Sequence, residues 1–593
     1  VEALPKIEGR GEGKLRKNER ARTAVEEGLA AIWEDVLGAK SIGIHSNFFE
    51  LGGHSLLATQ LISRVRRMFS VEVGLRELFE EPTVMALANK IEEAMRRGTG
   101  IQKPEIKRTG RSSDIPLSFA QQRLWFIDQM ESGGSAFNVY AAVRVRGNLN
   151  QQAFQNTLTE IVRRHEVLRT RFGVGGGQPI QIIDPPGPFE ITESDLTATP
   201  AAEQESEIER IAREEALRPF NLLTGPLLRT RLLKLAERDQ VVVFTTHHIV
   251  SDGWSMRVLI NEIAALYPAF AEQRMPSLPD LPVQYADFAV WQREWLQGEV
   301  LEGQIQYWRD QLNGAAPELN LPTDFPRSPA AGSNGANEIF ILPQELLAKL
   351  KAVSRSENVT LYVTLLAAFQ ALMHRWSGQT DILVGTDIAN RTQAETEDLI
   401  GFLVNQLVMR SDLSGNPSFS ELLKRVREVT LGAYSHQDLP FEKLVEVLNP
   451  DRSNGKHPLF QVKLHLDNIP REPLELPGLQ LDYMEIDNGT AALDLTLTLW
   501  EHGDALSGRI RYNTSLFRGS TIVRMIAEFR SILECASEDA AIRLDALNAY
   551  LDQANQTRKK AQSAKLQEAG LSKLAGARRK ALRIEEREGE AAS

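Results

Sequence analysis

The sequence predicts a multidomain protein in which a small helical domain precedes a larger α/β region. Residues 20–98 carry apolar side chains at helical spacing. The stretch 99–113 contains Gly, Pro and Ser without periodicity, which is typical of a flexible linker. Residues 241–255, VVVFTTHHIVSDGWS, change from a β-branched run to helical periodicity, as expected for a chain that alternates strands and helices. A length of 593 residues allows three or four domain-sized units.

The composition excludes several classes of protein. The chain is 42% apolar and 25% charged, which is ordinary for a globular protein. Its net charge of −11 argues against general binding to nucleic acid or to a membrane. The one cysteine, Cys535, excludes an internal disulfide and a cysteine-based zinc site and suits a reducing compartment. We therefore expect a cytoplasmic monomer with no signal peptide, no membrane span and no metal.

The helical domain has clear start and stop signals. Thr23 and Glu26 form a capping box, and the apolar face that follows ends at Gly38. The next segment reads NFFELGGHSLLATQLISRVRRMF, in which two glycines permit a tight loop before a second amphipathic helix. Ser55 is predicted at the N-cap of that helix. A helix N-terminus attracts phosphate groups, so Ser55 is a candidate functional residue.

In the larger region, a predicted buried strand ends in His247 and His248, followed by Asp252 and Gly253 at the start of a helix. Neighbouring residues on a strand point to opposite faces, so one imidazole can be structural while the other faces a cleft. Asp252 can hold the turn or pair with an arginine. A metal site is not favoured, because adjacent histidines cannot easily share one ion.

The segment TTHHIVSDGWS resembles the HHxxxDG motif of condensation domains of nonribosomal peptide synthetases, which share a fold with chloramphenicol acetyltransferase. LGGHSL resembles the site of peptidyl carrier proteins at which a serine receives 4′-phosphopantetheine. Seven further segments resemble condensation-domain motifs in the family's order, over about 350 residues. They are LSFAQQRLWFIDQ, RRHEVLRTRF, LPVQYADFAVWQ, ILVGTDIANR, IGFLVNQLVMR, HQDLPFEKLVEVL and HPLFQVKLHLDN.

The resemblance implies a four-helix-bundle carrier domain over residues 20–98. An α/β condensation domain follows, with two chloramphenicol acetyltransferase-like lobes in a V shape at 114–285 and 286–545. Residues 1–19 resemble the end of a preceding adenylation domain. Residues 546–593 are predicted to be a tail. Within it, residues 556–583 hold nine Lys and Arg against one Glu, which predicts either a solvated, partly helical linker or a basic helical element that docks on another synthetase subunit or enzyme.

The resemblance also implies the reaction and the roles of residues. A donor acyl or peptidyl thioester on the upstream carrier, attached through 4′-phosphopantetheine on Ser55, is attacked by the amine of an aminoacyl group on a downstream carrier. His248, with His247 in the same motif, accepts a proton or orients the amine, Gly253 offers a backbone N–H to the oxyanion, and Asp252 is structural. Further residues expected to support the site are Arg164, Arg169, Asn390, Arg391 and Asn405.

The sequence leaves alternatives open. The partner of Asp252 is either Arg169 or Arg391. An epimerisation domain shares HHxxxDG, although LSFAQQRLWF and GGHSL differ from the segments usual in that class. A non-catalytic platform that recruits a tailoring enzyme is disfavoured by the presence of His248. A terminal condensation that releases product onto a free nucleophile remains a third alternative.

Overall fold

A computed structural model describes most of the chain. The described residues are 21–40, 42–97, 103–111, 114–131, 134–316, 318–327, 334–450, 457–467, 476–484, 486–503, 505–557 and 560. The linker predicted at 1–19 and most of the tail predicted at 546–593 lie outside these ranges.

The helical domain contains the four predicted helices. They are α1 Ala24–Leu37, α2 Ser55–Phe69, α3 Leu75–Glu80 and α4 Val84–Arg97. The capping box of Thr23 and Glu26 is present, and α1 ends at Gly38 with φ of 62°, a left-handed conformation that glycine adopts without strain. Leu29, Trp33 and other apolar side chains are buried between the helices. The predicted four-helix carrier fold is confirmed.

The larger region alternates helices and strands. Its helices are α5 Phe119–Glu131, α6 Gln151–Arg164, α7 Ala201–Leu217, α8 Gly253–Ala271, α9 Tyr285–Trp295, α10 Gly298–Leu312, α11 Gln344–Ser356, α12 Leu361–Ser377, α13 Phe419–Ser435, α14 Phe441–Leu448 and α15 Gly519–Glu538, and residues 544–557 are also helical. Its strands are β1 Ile115–Pro116, β2 Asn138–Gly147, β3 Thr170–Gly175, β4 Gln178–Ile183, β5 Thr192–Asp195, β6 Leu228–Ala236, β7 Asp239–His247, β8 Gly335–Leu342, β9 Asp381–Ile388, β10 Asn405–Asp412, β11 Val462–Asp467, β12 Leu479–Met484, β13 Leu495–His502 and β14 Ala505–Asn513.

These strands form two lobes. In the first lobe, a five-stranded sheet has the order β12-β2-β7-β6-β5, and a small sheet has the order β1-β4-β3. In the second lobe, a six-stranded sheet has the order β10-β9-β11-β13-β14-β8. The second sheet is covered by helices, as the edge-to-face contacts of Phe529 on α15 with Phe340 and Phe369 show. Each lobe therefore has an α/β core of its own.

A strand from late in the chain belongs to the first lobe, and the predicted boundary between the lobes needs correction. Strand β12 comes late in the chain but pairs antiparallel with β2 of the first lobe, with Leu479 opposite Gly147. The boundary predicted between residues 285 and 286 falls inside α9, and Tyr285 and Phe288 of that helix pack in the core of the first lobe. The prediction placed this boundary at the matched sequence segment, whereas the apolar face of α9 belongs to the first lobe.

The linker prediction also needs correction, because the described part of 99–113 is bound and not free. Lys103 Nζ contacts Asp438 Oδ1 at 2.8 Å, and its side chain is only 7% exposed. Arg111 contacts the buried carboxylate of Asp287 at 2.7 Å. Basic residues of the predicted flexible linker thus pair with acids of the larger region, so residues 103–111 lie along its surface.

Within the described part of the chain, no helix is both long and apolar enough to cross a membrane. The same residues contain no group of three or more His, Cys, Asp or Glu side chains arranged to hold a metal ion.

Candidate functional site at the lobe interface

The histidine pair lies on the predicted strand-to-helix turn. Strand β7 is central in the first sheet, between β2 and β6, and ends at His247. A short 3-10 turn spans His248–Val250, and α8 begins at Gly253. Asp252 is the N-cap of α8, since its side chain accepts a hydrogen bond from Ser255 N. The strand therefore delivers the two imidazoles and the helix N-terminus to one point.

His247 is a core residue. Its side chain is 1% exposed, and its ring lies 6.3 Å from that of Phe137 and 6.1 Å from that of Phe220. Its Nδ1 accepts a hydrogen bond from Ile249 N at 3.1 Å. Burial lowers the pKa of His247 to about 3, so the ring is neutral at ordinary pH. The sequence predicted His247 as a catalytic residue. The structure corrects this prediction, because the buried ring supports the turn from inside the first lobe.

His248 is partly exposed and has a defined tautomer. Its Nδ1 lies 2.7 Å from the carbonyl oxygen of Ser251. A carbonyl oxygen only accepts, so Nδ1 carries a proton, and in the neutral ring the free lone pair is on Nε2. The ring centroid lies 4.4 Å from that of Phe402. His248 can therefore accept a proton or a hydrogen bond at Nε2.

Asp252 connects the two lobes. Its buried carboxylate accepts hydrogen bonds from Ser255 N and Oγ at 2.8 and 2.7 Å, and from Leu403 N and Val404 N at 3.0 and 3.2 Å. Arg391 Nη2 lies 3.2 Å from Asp252 Oδ1, and neither side chain is more than 1% exposed. The partner that the sequence left open is Arg391.

Ser55 is the first residue of α2, and its N-cap is His54, which adopts extended backbone angles. The predicted N-cap position of Ser55 is therefore wrong by one residue, because helix limits are set by backbone bonding that the side-chain pattern does not resolve. The Ser55 side chain is partly exposed and lies at the positive end of the helix.

A cavity of about 180 Å³ joins Ser55 to the histidine turn. Asp252, Gly253 and Trp254 from the first lobe line one part of it. Its other lining residues are Leu56, Thr59, Tyr362, Thr386, Asp387, Ile388, Ala389, Asn390, Arg391, Val404, Tyr434, Gln437, His465, Leu466 and Asp467. His248 is not among the lining residues, but its ring contacts Phe402, two residues before Val404.

The helical domain is held at this cavity by ion pairs with the second lobe. Arg64 Nη2 lies 3.3 Å from Glu397 Oε2, and Arg67 pairs with Glu395. Both arginines are on α2, the helix that begins at Ser55. Apolar contacts continue the interface, since the buried side chains of the helical domain and of the second lobe form one cluster. Ser55 is thus fixed at the mouth of the cavity.

Comparison with known proteins agrees with this geometry. A family model described as the condensation domain matches residues 111–557. The chain belongs to the condensation-domain family. A second model, described as a phosphopantetheine attachment site, matches residues 27–91. The chain is therefore a carrier–condensation didomain of the nonribosomal peptide synthetase type, a family whose reaction is amide-bond formation by acyl transfer, and its carrier domain bears covalently attached 4′-phosphopantetheine.

The relatives are large synthetases. One of the linear gramicidin synthase proteins of Brevibacillus parabrevis is 46% identical over 527 residues, which cover 88% of this chain and 10% of that protein. The chain thus spans about a tenth of the length of that relative. The X-domain solved in complex with OxyB from teicoplanin biosynthesis is similar with a TM-score of 0.68 and 27% identity, covering 76% of this chain and 99% of that one.

A further solved structure shows the fold. The first condensation domain of the calcium-dependent antibiotic synthetase matches with a TM-score of 0.61 and 20% identity, covering 74% of this chain and 99% of that one. The predicted chloramphenicol acetyltransferase-like α/β fold of the condensation domain is confirmed.

The remaining predicted residues of the condensation domain are dispersed. Arg164 ends α6 and pairs with Glu262 at 3.1 Å, inside the first lobe. Arg169 donates to the backbone carbonyl of Asp184 and lines a separate cavity of about 710 Å³. These contacts do not give the predicted support of the site, because the partners of both arginines lie within the first lobe.

Asn390 and Asn405 have different positions. Asn390 lines the cavity with φ of 53°, in the left-handed region that Asn tolerates. The Asn405 amide donates to the carbonyls of Gln437 and Leu439 at 2.9 and 2.8 Å. Asn405 therefore holds the loop before α14, and only Asn390 reaches the cavity.

Sequence reasoning missed four polar residues of the cavity region. Tyr362 and Tyr434 line it, as does Asp387, which pairs with Lys463 at 3.0 Å. Asp387 and Lys463 lie inside motifs that were recognised, and Tyr434 lies two residues before another. For Asp387 and Lys463, the available signal was a charged residue among apolar residues of a strand, because burying a charge is costly unless it is paired. The two tyrosines lie on helices and gave no such signal.

Proposed function

We propose that the chain catalyses amide-bond formation with Ser55 on the donor side. The observation that carries this proposal is the cavity that leads from Ser55 to Asp252 and Gly253 in the histidine turn. When attached to Ser55, 4′-phosphopantetheine supplies the donor acyl group as a thioester. The fit of the residues supports this attachment, because the Ser55 side chain is partly exposed at a helix N-terminus and opens on this cavity.

The acceptor amine needs only modest help from the protein. An α-amino group has a pKa of about 7.7–8.0, so about a tenth is neutral at pH 7. The amine must still lose a proton when it attacks. His248 has the tautomer for this task, since Nδ1 is occupied by Ser251 O and Nε2 can accept. We assign His248 Nε2 to accept that proton or to orient the amine.

Backbone N–H groups at the start of α8 can stabilise the negative charge that develops on the donor carbonyl oxygen. Gly253 is the first residue of α8, and the first N–H groups of a helix have no partner within it. Gly253 lines the cavity, and a Cβ added there would meet no atom within 4 Å. Its N–H can therefore face the carbonyl oxygen of the donor as negative charge develops. Asp252 and Arg391 hold this helix against the second lobe.

The partners of the chain are part of the same proposal. We propose that the acceptor is an aminoacyl group on a downstream carrier protein and that neighbouring synthetase domains or subunits contact the chain. The docking element is the part of the predicted tail after residue 557. The predicted start of the tail at 546 is corrected, because Leu547 and Leu551 are buried in the core of the second lobe. We further propose a cytoplasmic monomer, in keeping with one cysteine and a net charge of −11.

A non-catalytic platform is the second candidate. The observation that favours it is the similarity to the X-domain, which was solved in complex with OxyB. The position of His248, with Nε2 able to accept, favours catalysis.

The experiment loads Ser55 with an isotopically labelled acyl-phosphopantetheine and adds a separate, aminoacyl-loaded carrier. Intact-mass measurement should show the labelled group moving to the added carrier as an amide, which resists cleavage by hydroxylamine at the new bond. Exchange of the donor α-proton without transfer would favour an epimerisation domain. Neither transfer nor exchange, with a folded protein, would favour the platform. An unloaded acceptor carrier is the matched control.

A further inference from the structure

Two tyrosines of the second lobe follow one another along the cavity that begins at Ser55. Tyr434 is near the end of α13, and Tyr362 is the second residue of α12. Both side chains are less than 9% exposed, and both line the cavity. The Tyr434 hydroxyl interacts with the Ser55 side chain, and the Tyr362 hydroxyl lies near that of Tyr434. Tyr434 is therefore the phenol next to the attachment point, and Tyr362 is next to Tyr434.

The Tyr362 hydroxyl is an exception among buried polar groups. It is buried and makes no well-aligned hydrogen bond to the described residues, although the Thr386 hydroxyl is close enough to interact with it. Phenylalanine in its place would pack as well without leaving a polar atom unsatisfied. A buried hydroxyl that lines a cavity without a well-aligned protein acceptor is a donor available to a ligand in that cavity.

Both phenols are donors at ordinary pH. Burial raises the pKa of Tyr434 to about 12 and that of Tyr362 well above its usual value, so both keep their protons. Asp387, which lines the same cavity, is already paired with Lys463 and accepts a hydrogen bond from Gln406 at 3.1 Å. The two phenols are thus donors that the second lobe offers to an arm entering the cavity at Ser55.

We propose that Tyr434 and Tyr362 are positioning residues for the arm on Ser55. Tyr434 donates a hydrogen bond to the phosphate that esterifies the Ser55 hydroxyl, and Tyr362 donates to a carbonyl oxygen further along the arm. The pair fixes the direction in which the arm enters, toward Asp252 and Gly253. This inference rests on the proposed donor role of Ser55, because it requires the arm to enter this cavity.

The test uses the full chain with the arm attached to Ser55 and no acyl group. The ³¹P NMR resonance of the phosphodiester should shift in Tyr434→Phe and stay near its wild-type position in Tyr362→Phe. Alkylation of the arm thiol by iodoacetamide, followed by mass spectrometry of the Ser55 peptide, should be about 2- to 12-fold faster in both variants, the loss expected for one hydrogen bond. Tyr550→Phe, at an exposed tyrosine far along the chain, is the matched control.

Stability gives an independent readout. Without the arm, Tyr362→Phe should raise the melting temperature by about 2 °C, because an unsatisfied buried hydroxyl is removed. A purely structural role for Tyr362 predicts a lower melting temperature instead. Unchanged ³¹P position and unchanged alkylation in both variants would overturn the inference, and if Tyr434→Phe does not fold, alkylation of Tyr362→Phe decides.

The experiments distinguish failure of this inference from failure of the proposed amide formation. If wild-type protein transfers no acyl group but the ³¹P and alkylation results hold, the arm is seated as inferred and the proposed amide formation is wrong. If transfer occurs and the variants behave as wild type, the arm is held by other groups.

Discussion

Replacing Asp252 by alanine should destabilise the condensation domain strongly. The change removes the acceptor of four hydrogen bonds and leaves Arg391 as a buried cation without its carboxylate partner. Breaking one partner of a buried ion pair typically costs about 3–5 kcal/mol, because the remaining charge stays desolvated. For a domain of this size, we expect the melting temperature to fall by about 3–6 °C.

The assay is thermal unfolding followed by circular dichroism, with Asp398→Ala as the matched control. Asp398 is exposed and lies seven residues after Arg391 in the sequence. Its removal changes the net charge as much as removal of Asp252 does, but it breaks none of the four hydrogen bonds to Asp252. Combining Asp252→Ala with Arg391→Leu should recover part of the loss, with a coupling energy of about 1–3 kcal/mol. A melting temperature equal to that of wild type in Asp252→Ala would show that this carboxylate does not hold the lobes together.

Two further predictions concern the carrier interface and the buried imidazole. Arg64→Glu and Glu397→Arg should each slow single-turnover condensation about fivefold, since a partly buried ion pair is worth about 1 kcal/mol. The double exchange should restore the rate. If it does not, this ion pair does not hold the helical domain on the second lobe. The pKa of His247 is about 3 in the folded chain and about 6.5 when unfolded, so the unfolded chain binds an extra proton between these values and stability falls as the pH drops below about 6.5. Between pH 7 and pH 5, the free energy of unfolding should fall by about 2 kcal/mol less in His247→Asn than in wild type, as measured by denaturant titration. An identical pH dependence in the two proteins would show that His247 is not buried in its neutral form.

Local patterns predicted the elements of the site well. The capping box at Thr23, the helix stop at Gly38 and the strand-to-helix turn at His247 and Gly253 depend on neighbours a few residues away, and the structure confirms each. The helix starts at Ser55, one residue earlier than predicted, because a helix cap is defined by backbone angles.

Contacts between distant segments were not predictable. Arg64 and Glu397 are 333 positions apart, and Lys103 and Asp438 are 335 apart, so nothing near either residue in sequence announces its partner. For the same reason the binding of residues 103–111 and the exchange of β12 between lobes appear only in three dimensions. Recognition of motifs supplied candidate residues, and geometry separated Arg391, in the site, from Arg169, outside it.

The decisive measurement compares transfer from Ser55 in wild type and in His248→Ala. The full chain, loaded at Ser55 with a labelled donor, is mixed with an aminoacyl-loaded acceptor carrier, and single-turnover transfer is followed by intact mass. We predict transfer by wild type and a rate lower by about 10²–10⁴-fold in His248→Ala, with unchanged melting. Near-full activity of the folded His248→Ala variant would contradict the role given to this imidazole, and a label that never leaves Ser55 in wild type would contradict amide formation itself.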